Sequence, residues 1–150
     1  MTTISIRSVH ADDHLEWLRM RDLLWPGETS AHAQTIADFL ATPPKNSATF
    51  VLARPNGKLG GFVEAGQRHY AEGCNTSPVG YLEGLYIDPD LRDQGWSRRL
   101  VATAEGWARS QGCHEMASDC LLHNPQSLAM HLALGYDEVE RIICFRKTLA

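Results

Sequence analysis

The sequence predicts an α/β fold, a mixed sheet with helices on both faces, and three observations carry that prediction. Apolar residues recur with strand and helix periods in the order β-α-α-β-β-β-α-β-α-β along the 150 residues. The turn Arg54-Pro55-Asn56-Gly57-Lys58 joins two apolar runs with hairpin chemistry. A strand over 79–87 passes through a tight polar turn into an amphipathic helix over 97–110. A chain of this length holds one substantial core, so one domain over 1–150 is expected.

Each element has a local cause. Ile4, Ile6 and Ser8 alternate with Ser5, Arg7 and Val9 in an imperfect first strand. Asp12 and Asp13 are placed to cap the helix that follows, and Pro26-Gly27 stops it. Trp25 stands at that stop, where a Trp either plugs the core or offers a flat face at a pocket mouth; spacing favours the plug. Ser30 is placed to cap a second helix through Ile36, Phe39 and Leu40, ended by Pro43-Pro44. Residues 49–53 and 59–67 form the hairpin strands. Residues 68–78 are the longest polar connection, as fitting for a binding loop as for a solvated one.

In the strand over 79–87, period two puts Tyr81, Glu83, Leu85 and Ile87 on one face, unless a bulge near Gly84 changes the register. Glu83 reads either as a strand-end carboxylate paired with a nearby Arg or as a base tuned by its surroundings. The helix over 97–110 turns Leu100, Val101, Ala104 and Trp107 inward, and Gly112 suits its C′ stop. A short strand over 115–119 ends in Asp119. Pro125 opens a helix through 134, Gly135 ends it, and 139–149 closes the domain as one long or broken strand.

Composition bounds the function. Hydrophobic content of 43% and charged content of 21% belong to a soluble globular chain. The N-terminal Met1-Thr2-Thr3-Ile4-Ser5-Ile6-Arg7 has no leader-like apolar run, and no stretch reaches the length of a membrane span. A cytoplasmic location and no membrane partner are expected. Net charge is −4 with no basic tract, so nucleic acid is not an expected partner. Cys74, Cys113, Cys120 and Cys144 form no C-x-x-C pair, and no His stands at zinc-ligand spacing to them; reduced thiols and no metal are expected.

The turn after Ile87 offers a row of backbone N–H groups, Gly95 and the open N-terminus of a helix, an anion cradle suited to a coenzyme pyrophosphate. Neither G-x-x-x-x-G-K-[ST] nor G-x-G-x-x-G occurs, which disfavours nucleotide-triphosphate and dinucleotide folds. What stands there is Arg92-x-x-Gly95-x-Ser97, after Ile87-Asp88-Pro89. The stretch resembles the acetyl-CoA loop of the GNAT superfamily of N-acetyltransferases, Arg/Gln-x-x-Gly-x-Gly/Ala after a hydrophobic-x-Pro turn, with Ser97 in place of the last small residue. Asn124, Ser127 and His131, followed by Gly135-Tyr136, are similar to the family's later motif Asn-x-x-[Ala/Ser]-x-x-x-Tyr, with His131 where many members carry a general-acid Tyr. Leu24-Trp25-Pro26-Gly27, Arg68-His69-Tyr70 with Gly73-Cys74, Ser77-Pro78-Val79, Leu82-Glu83-Gly84, Glu115-Met116-Ala117-Ser118-Asp119 and Arg146-Lys147 resemble the chromosomal-type aminoglycoside 6′-N-acetyltransferases, in order over nearly the whole chain.

That resemblance implies a GNAT fold, with a mostly antiparallel sheet splayed at its centre. It implies acetyl-CoA as co-substrate, with the backbone of Leu85, Tyr86 and Ile87 on the pantetheine arm. The amides of Arg92, Asp93, Gln94, Gly95, Trp96 and Ser97 would hold the pyrophosphate, and Asn124 the far end of the arm. A cationic aminoglycoside would meet Trp25, Tyr70, Glu83 and Asp119, with Glu72 and Glu140 as lesser carboxylates. Glu83 or Asp119 would take the ammonium proton, directly or through water, and a backbone N–H of Tyr86 or a neighbour would stabilise the oxyanion. His131 or water would protonate the thiolate, with no acetyl-cysteine intermediate. The expected outcome is aminoglycoside resistance, from a homodimer paired through the C-terminal strand. The alternatives are acetylation of another polyamine or a protein N-terminus, and a CoA-binding sensor without turnover.

Overall fold

Five apolar runs pair into one sheet in a computed structural model that describes residues 3–150; Met1 and Thr2 of the N-terminal stretch lie outside the described residues. The strands are β1 (Ser5–Ser8), β2 (Ser47–Ala53), β3 (Leu59–Arg68), β4 (Val79–Ile87) and β5 (Met116–Ser118), side by side in that order. β1 to β4 pair antiparallel, and β5 lies parallel to β4. The Asn56-Gly57 turn closes the β2–β3 hairpin, with Gly57 at φ +83°.

Helices cover both faces, as the sequence predicts. α1 (His14–Leu24) and α2 (Thr29–Ala41) set Trp17, Met20 and Ile36 on Val51, Phe62 and Tyr86. α3 (Trp96–Ser110) sets Leu100, Val101 and Ala104 on Leu52, Val63, Leu82 and Ile87 on the other face. α4 (Pro125–Ala133) begins at Pro125, whose missing N–H needs no intrahelical partner. Gly112 terminates α3 in a Schellman motif. Its N–H bonds Arg109 O and that of Cys113 bonds Ala108 O, both at 3.0 Å, and Gly135 repeats the pattern after α4. No helix among the described residues is long and apolar enough to cross a membrane.

Three local expectations change. Asp13 does not cap α1; its carboxylate reaches back to Arg7 and to the His10 N–H, each at 2.7 Å, and so caps the 3-10 turn over Ala11–Asp13 that precedes the helix. Ser30 lies inside α2, which starts one residue earlier at Thr29. Residues 139–149 form no strand: Ile143, Phe145 and Leu149 are 80%, 91% and 83% exposed, since an alternating pattern becomes a strand only against an available edge.

One buried charge cluster ties α1 and the hairpin to the end of β4. Asp88 accepts from Arg19 at 3.0 Å and from Arg54 at 3.1 Å, while Glu16 accepts from Arg19 and from the Leu59 N–H. Burial by itself raises the Asp88 pKa, but the two guanidinium groups outweigh it and hold the carboxyl below its ordinary 3.8. Asp88→Asn is expected to lower the unfolding free energy by about 2 kcal/mol at neutral pH. A folded-state pKa below the unfolded one gives stability that is present above about pH 4 and lost as pH falls through the folded value. Urea titrations at pH 7 and pH 3 should therefore show the gap between wild type and variant closing in acid. An equal gap at both would contradict the assignment.

Candidate active site

The site begins with one extra residue in β4. Glu64 pairs with Gly84 and Ala65 with Leu82, which leaves Glu83 without an opposite number. The backbone confirms the slip. Gly80 N–H bonds Glu115 O towards β5, whereas Asp88 N–H, an even number of positions on, bonds Gly60 O towards β3. The side chains change sides accordingly. Leu82 packs under α3, as do Leu85 and Ile87 beyond the bulge, while Tyr86 packs under α1. Tyr81 and Glu83 therefore do not share a face with Leu85 and Ile87.

The sheet opens at the same place. β5 pairs with β4 only from Gly80 to Leu82, so the β4 edge from Glu83 to Ile87 has no strand on that side among the described residues. Backbone alternation aims the N–H and C=O groups of Leu85 and Ile87 into this gap and those of Tyr86 back at Phe62. At the gap's end the chain makes a 3-10 turn over Pro89–Leu91 and a nest: Asp93 has φ +61° and Gly95 φ +85°. No side chain caps the N-terminus of α3, so its first N–H groups, from Trp96, Ser97 and Arg98, point outward with the positive end of the helix. Arg92 turns back, its Nε donating to Ile87 O at 2.9 Å, and Gln94 donates to Asp90 O. These two side chains brace the loop.

On the α1–α2 side of the bulge stand the other predicted residues. Arg68 binds Glu83 at 2.9 Å, and its guanidinium lies 3.5 Å from the Tyr81 ring centroid. Tyr81 donates to Asp119 at 2.7 Å. Burial and the Asp119 carboxylate push the Tyr81 phenol far above its ordinary value, so it stays a donor. Desolvation alone lowers the Arg68 pKa, but the bonds and charge of Glu83, with Tyr81 and Asp119 beyond, hold it above its ordinary value.

Trp25 lies half-buried against the bulge. Its ring presses on Gly84 so closely that a Cβ there would lie 2.4 Å from Cη2. Beneath it, His32 Nε2 donates to Trp25 O at 2.8 Å, which leaves Nδ1 to accept from Arg21. Arg21 binds both oxygens of Glu64, at 2.6 and 2.7 Å, and Trp17 Nε1 adds a third bond. Burial pushes the Glu64 carboxyl up, against the pull of Arg21 and Trp17. A cavity of about 560 Å³ runs from Glu64 and Glu83 under α2 past Thr49, Phe39 and Asp38.

At the floor of the gap, His131 Nδ1 donates to Ser127 O and its Nε2 meets Ser118 Oγ, both at 2.7 Å. Ser118 Oγ lies 3.3 Å from Leu82 O, where β4 and β5 part. Asn124 is engaged: its side-chain oxygen caps α4 at the Ser127 N–H, and only its amide N–H groups remain for another partner. Tyr70 projects from the β3–β4 loop, 67% exposed. Glu72 lies in the same loop, and Glu140 sits on the exposed C-terminal segment that forms no strand. That segment first crosses the loop, where Val139 packs against Gly73. Ser118, Tyr81 and the Arg21–Glu64–His32 set escaped the sequence reading. A Ser and a carboxylate flanking one short strand were the available signals.

Comparison with known proteins follows this geometry. The model of the acetyltransferase (GNAT) family matches residues 13–136. The aminoglycoside N(6′)-acetyltransferase type 1 of Klebsiella aerogenes is 44% identical over 146 residues, 96% of each chain. That of Serratia marcescens is 41% identical over 140 residues, 91% of this chain and 94% of its own. Among solved structures, AAC(6′)-Iy in complex with a bisubstrate analogue, CoA-S-monomethyl-acetylneamine, superposes with TM-score 0.90 at 35% identity, over 99% of this chain and all of that one. The aminoglycoside 6′-N-acetyltransferase AAC(6′)-Ih of Acinetobacter baumannii gives TM-score 0.92 at 33% identity, over 99% of this chain and 100% of its own.

The Trp25–Gly84 contact makes a prediction. Gly84→Ala should cost about 1–3 kcal/mol and shift tryptophan fluorescence, because its methyl meets the indole benzo ring. Trp25→Phe removes that ring edge, so the double variant should recover most of the loss in a double-mutant cycle. Additive losses would show that the two residues do not meet.

Proposed function

The chain belongs to the acetyltransferase (GNAT) family, and on that premise we propose that it transfers the acetyl group of acetyl-CoA to the 6′-amino group of aminoglycoside antibiotics, giving resistance to them. The observation that carries this reading is one bulge with an open strand edge and anion nest on one side and the Glu83–Tyr81–Asp119 cluster on the other. The open edge and the nest fit a long ligand ending in pyrophosphate. Leu85 and Ile87 would add their backbone to its pantetheine arm as an extra strand does, and the amides from Arg92 to Ser97 would hold its phosphates. Bound there, it supplies a thioester carbonyl to the acceptor amine.

The chain's own residues then do the rest. Glu83, with Asp119 beside Tyr81, draws the ammonium into place and takes its proton, freeing the lone pair that forms the amide. The oxyanion donor is the N–H of Leu85, since that of Tyr86 points to β3. The Ser118 hydroxyl protonates the leaving thiolate and regains a proton from Nε2 of His131, which the doubly protonated ring carries there while its Nδ1–H stays on Ser127 O. Trp25 and Tyr70 wall the sugar. The four thiols take no part; the described cysteines are unpaired, as suits a reduced cytoplasmic setting. One domain is the active unit, in a homodimer: Ile142, Ile143, Phe145 and Leu149 stand exposed on an alternating segment, and a second copy supplies the edge it lacks.

Thiol release from acetyl-CoA should occur with 6′-amino aminoglycosides and not with 6′-hydroxy ones. Equal release with simple polyamines would favour a different acceptor, and none with any amine a binding role. Glu83→Gln is expected to lower kcat about 10²- to 10⁴-fold while acetyl-CoA affinity holds; undiminished turnover would remove Glu83 from the chemistry. Sedimentation equilibrium should give twice the chain mass, and a chain ending at Tyr136 the single mass. A full-length monomer would refute the dimer.

A further inference from the structure

Arg68 ends β3, and its guanidinium bonds one group, Glu83: Nη2 at 2.9 and 3.2 Å and Nε at 3.3 Å. The same guanidinium lies over Tyr81, 3.5 Å from the ring centroid, and Tyr81 is tethered to Asp119. A cation is thus already present where an aromatic face and two carboxylates converge, which is what an ammonium of the acceptor requires. We infer that Arg68 is a built-in stand-in cation, which neutralises Glu83 while the acceptor site is free and is displaced when the acceptor's ammonium arrives. The inference rests on the acetyltransferase reading above.

Exposure separates this pair from Arg21–Glu64, the other ion pair beside the bulge. Side chains of Arg68 and Glu83 are 44% and 39% exposed, against 10% and 15% for Arg21 and Glu64. An exposed pair contributes little, and its charges return to water easily, whereas a buried one leaves an uncompensated charge when parted. Arg21–Glu64 is therefore scaffold, and Arg68–Glu83 is exchangeable. The exchange of one cation for another at Glu83 is close to even. Further ammonium groups of a polycation, facing Asp119 and the carboxylate-lined cavity, tip it. A weakly charged amine lacks that surplus and stays outside.

The competing role is a rigid brace that aims Glu83, and the two differ in sign. Calorimetry of neamine binding without acetyl-CoA is the measurement, on wild type, Arg68→Ala and Arg68→Lys. Arg68→Ala should bind about three- to fivefold tighter, the worth of an exposed ion pair no longer broken, with a steeper loss of affinity in salt because Glu83 is bare. Arg68→Lys, which keeps the charge, should stay near wild type. Arg68→Gln serves where thermal unfolding shows Arg68→Ala destabilised, and it too should bind tighter. Weaker or unchanged binding in the uncharged variants makes Arg68 a brace and overturns the inference. A wild type that binds no aminoglycoside refutes the acetyltransferase reading and this inference together.

Discussion

The single extra residue at Glu83 is the constraint on which the rest depends. A regular β4 would keep Tyr81, Glu83, Leu85 and Ile87 on one face and leave no reason for its edge to part from β5. With the bulge, Tyr81 and Glu83 face the opposite layer from Leu85 and Ile87, and bulges bend the strand that carries them. Glu83 is delivered to the α1–α2 side while the polar backbone of Leu85 and Ile87 opens towards the gap. An exposed carboxylate and an open strand edge thereby meet at one point of one strand. Gly84 completes the arrangement, since only a residue without a Cβ lets Trp25 lie on the bulge.

Around that point the protein sorts its charges by burial. Asp88, reached by Arg19 and Arg54, locks the strand end from which the anion nest springs. Arg21 and Glu64, with His32, hold Trp25 from below. Both sets are satisfied in full, and among the described residues no buried side-chain polar atom lacks a partner. Glu83 and Asp119 are exposed instead, paired with Arg68 and Tyr81. Rigid support below and exchangeable pairing above is what a site for a polycation needs.

Much of this was legible in order along the chain, because turns, caps and strand periods are short-range. Asn56-Gly57, Pro125, Gly112 and the nest at Gly95 each dictate their backbone through their own φ preferences. The strand over 79–87 was readable to the residue. The bulge within it was readable only as a condition, since Gly84 permits a slip but its partner strand enforces it. Pairings between distant residues were not readable: Arg68–Glu83 spans 15 positions, Arg21–Glu64 43 and Trp17–Glu64 47.

Residues 139–149 mark the same boundary from the other side. Their alternation encodes a strand, yet pairing requires an edge, and no edge within the described chain receives them. The sequence by itself determined the elements up to Gly135, the nest at Gly95 and the family to which they belong, because each rests on neighbours in the chain. Only the tertiary structure decided which way Glu83 faces, which cation it holds, and that Ser118 stands between His131 and the gap. Those depend on register and on the crossing of separate strands, and a one-residue slip reverses them all.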